Sequence, residues 1–130
     1  MTPMTDQRVV VVYDPTTNTF SAKNNPVHVY QGVTRIVWTV ELAPETEGVI
    51  IFGTEPTFRG IDFGPRWPGT KPQGDDLQWN VEITNALKSG EKRRFHYFVN
   101  CWYKTSLAAK TAEKKSWDPE VEEEGTPPPV

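Results

Sequence analysis

FHYFVNCWYK, residues 95–104, holds one of the chain's two histidines, its only cysteine and five Phe, Tyr or Trp rings. Read as a site, it offers a thiol and an imidazole. Read as a strand, it sorts by parity, because successive side chains point to opposite faces. Phe95, Tyr97, Val99, Cys101 and Tyr103 then share one face, and His96, Phe98, Asn100 and Trp102 the other. The first row is apolar enough to be core. Cys101 and His96 differ in parity, so a regular strand keeps them from a common ion. A buried free cysteine acts as a small hydrophobe. A nucleophilic one needs a base to form its thiolate, and the spacing supplies none. The stretch is therefore read as a strand, with no catalytic residue and no metal ligand in it.

The same alternation recurs along the chain. In TRIVWTVEL, residues 34–42, Ile36, Trp38, Val40 and Leu42 share one face, while Arg35, Val37, Thr39 and Glu41 share the other. LQWNVEITNAL, residues 77–87, sets Leu77, Trp79, Val81 and Ile83 together. RVVVVYDP (8–15), VHVYQG (27–32), VIIFG (49–53) and FRGIDF (58–63) supply further short apolar runs, and a short strand is expected near Phe20. Twelve prolines and nine glycines punctuate these runs. Short β-branched and aromatic segments between turn residues predict an all-β sandwich or barrel. Over 106–114 a short helix competes on propensity with a hairpin that returns a last strand to Trp117, and the hairpin fits an all-β chain better. The pattern predicts a flexible segment 1–7, one domain over 8–118, and an acidic, proline-rich tail over 119–130, extended or disordered.

Charge is unevenly placed. The net value is −3, yet residues 88–115 carry +6 and residues 117–130 carry −5. MTPMTDQ lacks a basic region followed by an apolar run, and no stretch is long enough to span a membrane, so a soluble cytoplasmic protein is expected. One cysteine allows no internal disulfide and suits a reducing compartment.

Other constellations are weak. Asp75 with Asp76, and Glu45 with Glu47, sit in loops without the apolar surroundings that raise a carboxyl pKa for acid–base work. Neither loop has the spacing of a calcium loop. GIDFGPRWPG, residues 60–69, lacks the Gly-Lys-Ser/Thr element of a phosphate loop. His28 and His96 both fall on outer faces by parity. No cofactor is expected.

VHVYQGVTRIVWTV, residues 27–40, resembles the opening of cupredoxin-like domains: a strand, a glycine turn, then a strand carrying a Trp, here Trp38, as a hairpin. The resemblance implies an all-β Greek-key β-sandwich of about seven or eight mostly antiparallel strands, cupredoxin-like or immunoglobulin-like. The copper function does not come with it. No histidine follows Trp38, neither His nor Met follows Cys101, and the only methionines are Met1 and Met4. SWDPEVEEEGTPPP, residues 116–129, is similar to the tails of small uncharacterised bacterial β-sandwich proteins.

The remaining candidates concern binding. Trp67, beside Arg66 in a proline- and glycine-rich loop, and the outward pair Phe98 and Trp102 offer rings for a protein or carbohydrate ligand. Trp67 is alternatively a lid over the core. Phe98 and Trp102 are alternatively a homodimer face. Lys88, Lys92, Arg93, Arg94 and Lys104, with Lys110, Lys114 and Lys115, could meet a polyanion, though the modest total charge disfavours nucleic acid. The expectation is a non-enzymatic binding or self-assembly module without a metal.

Overall fold

A computed structural model describes residues 5–127. The described residues form fourteen strands and no helix: β1 (Thr5–Asp14), β2 (Thr19–Ser21), β3 (Val27–Val29), β4 (Gly32–Leu42), β5 (Val49–Phe52), β6 (Thr54–Glu55), β7 (Phe58–Arg59), β8 (Ile61–Asp62), β9 (Gln73–Gly74), β10 (Gln78–Asn85), β11 (Lys92–His96), β12 (Phe98–Lys104), β13 (Glu113–Trp117) and β14 (Glu120–Glu124). One sheet runs β2-β1-β4-β10-β9. A second runs β11-β14-β3, and a third β13-β12-β5, with β8 also on β12. β6 and β7 pair alone. Pairing is antiparallel except for β1 with β4 and β14 with β3.

The alternating faces close on one another. Val9, Val11, Ile36, Trp38, Trp79, Val81 and Ile83 of the five-stranded sheet share a core with Val27, Val29, Phe52, Val99, Cys101 and Val121 of the other two. At its centre the buried Trp38 indole N–H donates to the Tyr97 hydroxyl at 3.2 Å. The rings stand 5.5 Å apart, so these two large polar-tipped core residues satisfy each other.

The opening stretch is not one strand. β11 and β12 are separated at Tyr97, whose N–H donates to Pro119 O at 3.1 Å. Across from it, β13 and β14 are separated at Asp118-Pro119. Proline lacks the N–H a continuous ladder needs. The four strands therefore make one ribbon bent at Tyr97 and Pro119, and its two arms lie in different sheets. Parity survives the bend: Tyr97, Val99, Cys101 and Tyr103 are buried, and His96 and Phe98 are exposed.

Several expectations need correction. The acidic stretch is no tail through residue 124, because β14 is the middle strand of its sheet, with Val121, Glu122 and Glu123 buried. Residues 5–7 belong to β1, and residues 1–4 and 128–130 lie outside the described part. β3 and β4 do not form a hairpin; Gly32, at φ 108°, turns the chain from one sheet to another. Leu77 precedes β10 and is exposed, because Asp75 accepts the Leu77 and Gln78 N–H groups and turns the chain there. Residues 113–117 return on β12 as the expected hairpin, with Tyr103 opposite Glu113.

Candidate functional site

The outward row of β12 builds one wall of an open apolar groove. Trp102 projects from its middle, with Ile51 of β5 as one cross-strand neighbour and Lys114 of β13 as the other. Val49, Ile51, Trp102, Lys104, Leu107 and Ala112 line a groove of about 350 Å³. Leu107, in the loop between β12 and β13, is 85% exposed. One edge of Trp102 is fixed. Phe58 meets it edge-on at 5.1 Å, its indole N–H reaches both Glu55 carboxylate oxygens at 3.2 Å, and Lys114 Nζ sits 5.4 Å over the ring. The Glu55 carboxyl is held below its usual range by its own backbone N–H and then by that indole.

Phe98 and Trp102 do not form one patch. Asn100 between them was expected to point outward, but it is buried. Its amide donates to Arg59 O at 2.7 Å, and its Oδ1 accepts from Ser116 Oγ at 2.7 Å. The segment joining β7 and β8 thus runs against Asn100, between the two rings. Phe98 stays half exposed outside the groove.

Trp67 lies elsewhere. It stacks on Phe63 at 4.2 Å, meets Phe95 edge-on at 4.8 Å and donates its indole N–H to Thr70 O at 2.8 Å. These contacts are those of a lid. Arg66 beside it is exposed. Trp67 also walls a cleft of about 530 Å³ that is shared with Glu82, Thr84, Arg93 and Glu123. There Glu123, only 2% exposed, is held by Arg93 at 3.1 Å.

The charge asymmetry is largely a cross-strand match. Lys92, Arg93 and Arg94 of β11 lie opposite Glu124, Glu123 and Glu122 of β14. Arg94 bonds Glu122 at 2.5 Å and Glu120 at 3.2 Å, and its guanidinium pKa is raised by the Glu122 hydrogen bond first. Three of the five leading basic residues therefore face carboxylates. Lys88 is exposed in the turn before β11, and Lys104 lines the apolar groove.

Cys101 is fully buried, and burial pushes its thiol up to about 12. His96 is exposed on the opposite face beside Asp118 and Glu120. His28 is also outward, yet it meets Glu124 at 3.1 Å. The Asp75 carboxyl is lowered by the Leu77 and Gln78 N–H groups, so it serves a turn. Sequence reasoning missed Val49 and Ile51 as groove wall, Leu107 at its rim, and all four glutamates of β14. The isolated Leu107 in a polar loop was the available signal. The glutamates left none, because their partners lie on strands distant in sequence. No protein-family model matches the chain, and no curated protein matches it.

Proposed function

We propose that the protein is a non-enzymatic β-sandwich binding module, of Greek-key cupredoxin-like or immunoglobulin-like architecture, that works through the Trp102 groove. One observation carries the reading: an apolar floor stands open beside a tryptophan whose orientation is already fixed. A preorganised aromatic anchor in a concave apolar setting is what binding hot spots are made of. The occupant is a protein segment that presents an apolar side chain flanked by carboxylates. Lys104 lines the groove and Lys114 stands over Trp102, so an acidic rim on the partner is complementary.

The same lysines weigh against the homodimer, because two copies meeting on this face would oppose like charges. The carbohydrate reading draws less support, since Phe63 covers one face of Trp67. So does the polyanion reading, with Lys92, Arg93 and Arg94 set against glutamates.

The test is selection from a displayed library of acidic–apolar peptides, followed by NMR mapping on the 15N-labelled chain. Shifts centred on Val49, Ile51, Trp102 and Leu107, with affinity lost in Leu107→Asp, are expected. Selected peptides that map elsewhere, or that bind Leu107→Asp equally well, refute the reading. A sedimentation coefficient that rises with concentration and falls on removing Phe98 and Trp102 would favour the dimer instead.

A further inference from the structure

The outer face of β11-β14-β3 carries a second constellation, separate from the groove. In the parallel pair of β14 and β3, Glu122 lies opposite His28, and Glu124 follows on the same face. His28 Nδ1 stands 3.1 Å from Glu124 Oε1 and 4.0 Å from Glu122 Oε1. One ligand atom from each of the three side chains lies within 4.8 Å of the others. Arg94 holds the second Glu122 oxygen, Oε2, at 2.5 Å and so fixes the rotamer that presents Oε1 to the imidazole. A four-coordinate ion with metal–donor distances of about 2.0–2.2 Å sets its donors about 3.3–3.6 Å apart. Small side-chain rotations close the observed triangle to that size.

His96 provides the contrast. Its Nδ1 faces Asp118 at 3.2 Å, while its Nε2 faces Glu120 at 3.5 Å. The two carboxylates flank different ring nitrogens, so they do not converge with one nitrogen on a single point. At His28 both carboxylates approach the same nitrogen.

We propose that His28, Glu122 and Glu124 bind a divalent transition-metal ion of the Zn²⁺ or Co²⁺ kind. One imidazole nitrogen and two carboxylate oxygens are a donor set these ions accept, with water completing the shell. Calcium prefers six to eight oxygens, which this face does not gather. Lys92 Nζ stands 4.0 Å from Glu122 Oε1, but its side chain is 69% exposed and swings to solvent as the ion enters. The strands bearing the ligands are tied together from below. Asn85 of β10 donates one amide hydrogen to Val29 O at 2.9 Å and the other to Glu124 O at 3.0 Å. Sequence spacing gave no hint of the site, because His28 and Glu124 are 96 positions apart.

Isothermal titration of the full chain with Zn²⁺, paired with visible absorption on adding Co²⁺, tests the site. One ion per chain is expected. His28→Ala and Glu124→Gln should each weaken binding at least about tenfold, while His96→Ala leaves it unchanged. His28 is an exposed side chain and Glu124 a partly exposed one, so both variants are expected to fold, and a thermal melt verifies it. Absence of stoichiometric Zn²⁺ binding by the unaltered chain overturns the proposal. Equal losses in His28→Ala and His96→Ala overturn it too.

Discussion

At the residue scale, Tyr97 and Cys101 show what the inward row of the bent ribbon does. Tyr97 is the acceptor for the only polar side-chain atom of Trp38, deep in the core. Tyr97→Phe keeps the ring but strands that indole N–H, and a buried donor without a partner costs about 1–3 kcal/mol. A urea midpoint lowered to that extent, with an unchanged denaturant slope, is the expected outcome. Cys101 gives a pH dependence of fixed sign. Its thiol is raised from 9.0 to about 12 by burial. The unfolded chain therefore releases this proton first, and the group's contribution is whole below pH 9 and lost as pH climbs toward 12. Cys101→Ala should decline less between those limits in parallel alkaline melts. This inward row was legible in the sequence, because parity depends only on backbone geometry. The fate of Asn100 was not. Parity placed it outside correctly, but it could not show that β7 and β8 would fold over it.

At the element scale, the sequence-level alternation located β1, β4, β10 and the β12–β13 hairpin. It missed the identity of β14, since five residues with four glutamates resemble a solvated tail. What makes them a strand is the cation row of β11 on one side and β3 on the other, neither of which is local. Asn85 is the clamp for that arrangement. It is 2% exposed, and besides its two donated bonds its Oδ1 accepts the Leu87 N–H at 3.0 Å. Asn85→Ala removes all three. A loss of about 2–4 kcal/mol is expected from summing such bonds. Hydrogen exchange should speed up most in β3 and β14, and protection there equal to the unaltered chain would show that the clamp is dispensable.

At the scale of the whole molecule, the bent ribbon joins two of the sheets. Removing everything after Asp118 takes away β14. With β14 at the centre of its sheet, the expected outcome is a chain without dispersed amide NMR signals. A truncated protein that keeps its melting transition would contradict this. The groove and the β3–β14 face sit on different sheets, so damage to one should spare the other at equal stability. The parallel pairing of β3 with β14 also bears on how the chain is made. Val27 lies opposite Val121, and among the described residues β14 is the sole strand beside β3 in that sheet. A ribosome therefore extrudes β3 long before its neighbouring strand exists. During synthesis that early segment must wait, exposed to chaperones and to neighbouring nascent chains, until β14 has been translated.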